Sequence, residues 1–332
     1  MKQIRFKITE LETVKTCPYC KKKKLNNFIQ QIKDWPFKNI YGYWNFDKCS
    51  FCKTLVLNKR PKKKFIIKAY KNYKTNSNRT TNTSFFNKIK NEYFYQVYNI
   101  KIYPLLNLPK HFYIFFVLLK IFIIERFEIK YFKKLKNKLV LDYGCGQGDL
   151  LKIAKKFGCR IKGIEFDKQI TKNNEQKKLN ISYGDEKLLK KYHYLLDCII
   201  CSHVIEHVYN PKLLLKIFYN KLNKKGFLLL STPNSDSHVL KKYSKFWRGL
   251  EVPRHISICN LNMIKKTLKE IGFKNIKVIP NYHVTSFETL GFKSFKKLNI
   301  IYFVYFRILR QLKLYFYNKI IEVDFIQIYA EK

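Results

Sequence analysis

From residue 139 onward the sequence alternates short apolar runs with helix-like stretches, and no other feature restricts the fold as much. The runs are KLVLDYG, CRIKGIEFD, ISYGD, LLDCIICS, GFLLLSTPN, NIKVIPNY and, after a long interval, DFIQIYAE. Strands that are apolar along most of their length are buried on both faces, and helices between them supply the cover. The pattern therefore predicts an α/β fold: a mostly parallel sheet with helices on both faces. The last run follows an insertion over 285–322 with no second glycine-rich start, so it is expected to complete the same sheet.

The first strand-to-helix turn of such a sheet lies where ligands bind, because backbone N–H groups at the start of the helix face outward there. Here that turn reads LVLDYGCGQGDLL (139–151) and holds three of the chain's eleven glycines, at 144, 146 and 148. Glycine permits positive φ and close approach of the backbone to a ligand. The pattern is G-x-G-x-G, with Asp149 where a dinucleotide-binding fingerprint carries its third glycine, which argues against a nicotinamide cofactor. Glu165 ends the second run 21 residues after Gly144, where a carboxylate can accept from both hydroxyls of a ribose. Gly184 and Asp185 follow the third run, and together these residues point to a nucleoside-bearing ligand.

Two cysteine pairs organise the first sixty residues: CPYC (Cys17, Cys20) and CSFC (Cys49, Cys52). Two tight C-x-x-C turns aim four sulfurs at one centre, which suits tetrahedral Zn²⁺ better than two redox motifs without a βαβ context. Lys21 and Lys53 stand where such knuckles usually turn through glycine. Residues 71–91, polar and without apolar periodicity, read as a linker or lid, and 111–136 as a helix entering the main domain. The division expected is a zinc-ribbon-like module at 1–60, a linker or lid at 61–110, and the α/β domain at 111–332.

Charge narrows the partners less than its size suggests. Lys and Arg number 67 against 23 Asp and Glu, a net charge of +44. Only nine of these cations are Arg, whereas readers of nucleic acid favour Arg for bidentate contacts, and the Lys excess travels with Asn, Ile, Phe and Tyr. Codon bias explains that combination, and nucleic acid is the less favoured partner. FYIFFVLLKIFII (112–124) is shorter than the roughly 20 residues a transmembrane helix needs. The N-terminal residues show no apolar stretch of leader length, and nine cysteines suit free thiols or metal. A cytoplasmic protein is expected, with peripheral membrane contact left open for 285–322, which is apolar with interspersed cations.

The motifs LDYGCGQGDLL, GIEFD, GD, LLDCIICSHVIEHVYNP and NKKGFLLLSTPN, in that order over 139–234, resemble the class I S-adenosylmethionine-dependent methyltransferases. The last two are most similar to the branch of ubiquinone-pathway O-methyltransferases and of sugar and surface-polysaccharide methyltransferases. Bacterial members of that branch often carry an N-terminal four-cysteine zinc module and a later stretch like WRGLEVPRH (247–255). The resemblance implies a Rossmann-like seven-stranded sheet and S-adenosyl-L-methionine as cofactor. It implies that Asp142, Gly144 and Gly146 shape the methionine pocket, Glu165 holds the ribose, Asp185 faces the adenine, and Cys201, Ser202 and His203 close the pocket.

HVIEH also spells an inverted metalloprotease motif, but the resemblance expects this sequence after the fourth strand of a methyltransferase, which argues against a protease. His203, Glu206 and His207 at i, i+3 and i+4 would share one helix face, where His207 could act as general base or the three could bind a divalent ion as in ubiquinone-pathway relatives. His203, His207 and His255 are the catalytic candidates; Trp247 is expected to stack on a substrate ring and Arg254 to hold an acidic group. STPN (231–234) differs from the N-P-P-Y type that accompanies methylation of base amines. The activity expected is methyl transfer to a small-molecule or saccharide-like acceptor, at oxygen. An RNA methyltransferase and a non-catalytic zinc-bearing scaffold are the alternatives.

Overall fold

The computed structural model of the protein describes residues 3–71, 85–101, 105–115, 126–172, 178–279 and 324–332. The insertion over 285–322 lies outside the described residues, as does most of the apolar run 112–124. Among the described residues no helix is long and apolar enough to cross a membrane.

Thirteen strands are described: β1 (Leu11–Thr13), β2 (Leu25–Ile32), β3 (Trp44–Cys49), β4 (Leu55–Leu57), β5 (Lys59–Pro61), β6 (Leu139–Tyr143), β7 (Arg160–Glu165), β8 (Ile181–Tyr183), β9 (Leu196–Ser202), β10 (Leu222–Pro233), β11 (Ser257–Ile258), β12 (Lys274–Val278) and β13 (Phe325–Glu331). Seven of them form one sheet in the order β12-β13-β10-β9-β6-β7-β8. The chain divides into two compact units, residues 74–183 and residues 1–73 with 184–332.

The unit formed by residues 74–183 carries β6, β7 and β8, paired in parallel. β6 has four buried residues in succession, Val140 to Tyr143, as expected of a strand covered on both faces. Full burial of one such Val or Leu side chain stabilises by roughly 1.5–3 kcal/mol. Helix α1 (Phe85–Tyr98) corrects the linker expected over these residues. Its Tyr93 and Phe94 are buried, Tyr98 packs edge-on against Phe157, and the buried Glu92 carboxylate accepts from the N–H groups of Leu106 and Asn107. The Asn- and Thr-rich stretch before residue 85 hides the helix from a reading of polarity, but three aromatic residues and one carboxylate tie it down.

In the other unit β10 runs parallel to β9, and β13 lies antiparallel between β10 and β12. The final run thus completes the sheet in the reverse direction. Helix α2 (Pro211–Lys221) starts at an Asn210 cap with proline at its first position, and helix α3 (Leu261–Ile271) at an Asn260 cap. In each, the capping amide oxygen accepts an N–H that the first turn leaves unpaired. The cysteine-bearing strands form a sheet in the order β11-β4-β3-β2, so its edge strand comes from residues 257 and 258. One apolar core holds Ile32, Trp44, Phe46 and Leu57 together with Leu240, Trp247, Leu250 and Ile256. The module expected to end at residue 60 is therefore built jointly with residues 239–258.

Candidate active site and cysteine centre

The glycine turn after β6 has the backbone its sequence requires. Gly144, Gly146 and Gly148 have φ of 79°, 54° and 73°. A Cβ placed on Gly146 would meet nothing within 4 Å, so the space over this turn is open. The neighbouring strand is the opposite: a Cβ at Gly163 would lie 2.7 Å from the Cys145 sulfur and 2.8 Å from Ile181 and Leu151. Gly163 therefore lets β7 pass beneath the turn, and the lone glycine inside CRIKGIE was the signal for it. Glu165, nearly buried at the end of β7, accepts from the Gly146 N–H at 2.7 Å and from those of Phe166 and Asp167 at 2.8 and 2.9 Å. Burial raises its pKa against these three donors, which lower it.

Asp142 lies beside it in register with Gly163, and burial pushes its carboxyl up to about 7, with the Glu128 and Glu165 charges adding and Arg126 opposing. Sequence reasoning passed over Arg126 and Glu128, whose Nη2 and Oε1 are 2.8 Å apart. The turn has open space above it and is flanked by two buried carboxyls, which can accept from an amine and a hydroxyl; the N–H groups of Gly144, Cys145, Gly146 and Gly148 are already taken by the Ile164 and Cys145 carbonyls and by Glu165.

In the other unit Asp185 caps the short helix Glu186–Lys190 and has the Lys63 ammonium 3.9 Å away. Cys201 is fully buried, so its thiol is closed to a ligand, while Ser202 and His203 are accessible at the end of β9. HVIEH does not form the helix face expected of it. His203 has φ +56°, and a single 3₁₀ turn, Ile205–His207, follows. The third partner comes from the other motif: ligand atoms of Glu206, His207 and His255 lie within 4.8 Å of one another.

Glu206 is fully buried, accepts from the Thr232 hydroxyl at 3.1 Å through Oε2, and leaves Oε1 without a hydrogen-bond partner. His203 Nδ1 and His255 Nε2 are 3.6 and 3.9 Å from that oxygen. Burial opposes ionisation of Glu206, but the His203 contact and the neighbouring imidazoles outweigh it and hold the pKa at about 2. His255, buried, is pushed down to about 4 by loss of hydration. His207 Nδ1 lies 2.9 Å from the Arg254 carbonyl, which can only accept, so Nδ1 carries the proton and Nε2 offers a lone pair. The Tyr70 hydroxyl is 3.0 Å from the same nitrogen. Likewise His255 Nδ1 donates to the Gly249 carbonyl at 2.6 Å, leaving its Nε2 as an acceptor. Two imidazole lone pairs and an unpartnered carboxylate oxygen thus converge, a set that can take up a proton or a divalent cation.

Residues 123–278 match a family model described as a methyltransferase domain. That region, just under half of the chain, is similar to a methyltransferase domain, and its strands β6 to β10 and β12 belong to the seven-stranded sheet described above. The ubiquinone biosynthesis O-methyltransferase of Coxiella burnetii is 34% identical over 121 residues, covering 34% of this chain and 52% of that protein. The tRNA U34 carboxymethyltransferase of Helicobacter pylori is 30% identical over 179 residues, covering 50% of this chain and 60% of that protein. The chain spans about half the length of the curated relatives it matches. A solved structure of an Archaeoglobus fulgidus SAM-dependent methyltransferase aligns over 65% of this chain and 92% of its own, with 24% identity and a TM-score of 0.45.

Two residues expected at the methyltransferase domain's substrate are elsewhere. Trp247 is 1% exposed in the core, with Gly249 held so tightly against its ring that a Cβ there would come within 2.3 Å. Arg254 is wholly buried: its Nη1 and Nη2 donate to the two oxygens of Asp34 at 3.1 and 3.4 Å, Nε to the Ala69 carbonyl and Nη2 to Asn39. WRGLEVPRH serves instead as a structural clamp that delivers His255 and the Arg254 carbonyl to His207. A motif shows residue types at a spacing; it does not show which of them face inward.

Outside the matched domain, Cys17, Cys20, Cys49 and Cys52 cluster with all four sulfurs within 4.8 Å. The pairs Cys17–Cys52 and Cys20–Cys49 are 3.4 and 3.5 Å apart. Both knuckles close alike, with the Lys21 N–H on the Cys17 carbonyl and the Lys53 N–H on the Cys49 carbonyl, each at 3.0 Å. Zn–S bonds of about 2.3 Å in a tetrahedron put sulfurs roughly 3.8 Å apart, which small side-chain movements reach from here.

Proposed function

We propose that the protein transfers a methyl group from S-adenosylmethionine to a hydroxyl oxygen of a small-molecule or saccharide-like acceptor, with a structural Zn²⁺ on the four cysteines. The cofactor supplies an electrophilic methyl group on a sulfonium. Asp142 and the Gly144–Gly146 turn would hold its amino-acid end, Glu165 its ribose and Asp185 its adenine; Oε1 of Glu165 already takes two N–H groups, while Oε2 takes one and retains acceptor capacity for a ribose hydroxyl.

The observation that carries the oxygen assignment is the fixed tautomer of His207, because an in-line displacement by a hydroxyl needs a base and little else beyond alignment. Nε2 of His207 would take the acceptor's proton, His255 and Glu206 would stabilise the imidazolium, and His203, half-exposed, would flank the acceptor. The name of the Coxiella relative, an O-methyltransferase, supports this choice. The name of the Helicobacter relative favours a second reading, RNA as acceptor, which loses its support if bulk RNA fails to bind at moderate salt.

Calorimetry with adenosylhomocysteine tests the cofactor site: we expect a micromolar site that Glu165→Ala weakens by at least about tenfold, an effect of roughly 1.4 kcal/mol. Absence of any binding by the intact protein would leave the scaffold alternative. With an acceptor in hand, His207→Gln should lower kcat by roughly 10²- to 10⁴-fold and leave adenosylhomocysteine affinity unchanged.

A further inference from the structure

Beside the cysteine centre, with Cys20 and Cys52 in its wall, is a cavity of ≈ 530 Å³. Lys21, Lys22 and Lys53 line it from the two knuckles, Lys212 from α2 and Lys266 from α3. Glu270 is its sole acidic residue and is already paired with Lys212 at 2.7 Å. The wall also carries Phe51, which is 59% exposed on the tip of the second knuckle with the Lys22 ammonium 5.6 Å from its ring centre.

Lys21 and Lys53 both have φ +61°, the left-handed conformation that favours glycine. Two lysines thus occupy equivalent unfavourable positions, and both line the same cavity. Concentrated cation beside one open aromatic face is the pairing that holds a phosphate and stacks a base.

We propose that this cavity binds a nucleotide unit, its phosphate on Lys21, Lys53 and Lys266 and its base on Phe51. The unit can come as a free nucleoside diphosphate or as part of a single-stranded RNA. The site stands independently of methyl transfer, since none of its residues belongs to the cofactor or histidine clusters.

The test is fluorescence anisotropy of a labelled oligouridylate on the full chain, with UDP, uridine and inorganic diphosphate as competitors. We expect UDP to compete at least about tenfold better than uridine or diphosphate, because phosphate and ring are both recognised. Competition by UDP at its own direct affinity assigns the free nucleotide; competition by longer RNA alone assigns the strand. Lys21→Gly with Lys53→Gly removes two charges while giving the knuckles their preferred residue. Binding should therefore fall about tenfold and the salt slope flatten by roughly 1.4, while the melting temperature holds or rises. Lys225→Gly, at another lysine with φ +65° that does not line the cavity, should leave binding unchanged. Phe51→Leu should weaken UDP several-fold and diphosphate not at all. If the double variant lowers the melting temperature, Lys266→Gln on α3 replaces it, with the same loss expected. Wild-type affinity in the lysine variants, equal weakening by Lys225→Gly, or diphosphate competing as well as UDP overturns the proposal.

Discussion

Asp142 is the residue whose chemistry is most directly measurable. Its carboxyl titrates near pH 7 because burial and the Glu128 and Glu165 charges disfavour ionisation. A cationic amine bound beside it would favour the ionised form and lower that pKa. Adenosylhomocysteine affinity should therefore rise as pH increases from 6 through about 7 and level off above, with Asp142→Asn abolishing the rise; calorimetry across this range reads it directly. At this scale the sequence was legible where backbone chemistry dictates the residue: Gly144, Gly146 and Glu165 sit as their spacing implied. It was illegible where burial decides. Arg254 and Trp247 have the side chains of a substrate clamp, yet carboxylate, carbonyl and core packing consume them from the inside.

At the scale of elements, the parallel strands could be read because unbroken apolar runs admit few other fates, and the cysteine knuckles because four sulfurs at that spacing share a centre. The α1 helix could not, since its few apolar contacts are aromatic and dispersed among Asn and Lys. Nor could the histidine cluster, which is assembled when the Ile256 N–H pairs with the Glu206 carbonyl at 2.9 Å and so brings HVIEH and WRGLEVPRH together. The first knuckle precedes β2 and the second links β3 to β4, so metal and sheet should be coupled. Purified protein should hold about one zinc equivalent, and replacement of Cys17 and Cys20 by Ser should remove it. Metal analysis with thermal unfolding tests this; full stability without metal would reduce the cysteines to ordinary buried thiols.

Across the whole molecule, the buried Arg254–Asp34 pair joins residues 220 positions apart, with both side chains 0% exposed. Asp34 also accepts from the N–H groups of Asn39 and Ile40, which offset only part of the cost of a buried carboxylate left without its guanidinium. Arg254→Met should cost about 3–5 kcal/mol, whereas the double change with Asp34→Leu should recover much of the loss. Urea midpoints of the three proteins give the comparison. Because the Arg254 carbonyl also orients His207, the single variant should lose activity before it loses all structure.

The edge strand at Ser257 and Ile258 has a consequence for how the polypeptide is made. Cys17 to Cys52 leave the ribosome well before Ser257, and β4, paired on one side with β3, lacks its other partner until about 200 further residues have been synthesised. Throughout that interval the nascent chain carries four reduced sulfurs and an uncovered row of apolar side chains, Ile32, Trp44 and Phe46 among them. Early metal capture would hold this segment in register while it waits, and fragments ending before residue 257 should be aggregation-prone even though they contain every cysteine of the centre.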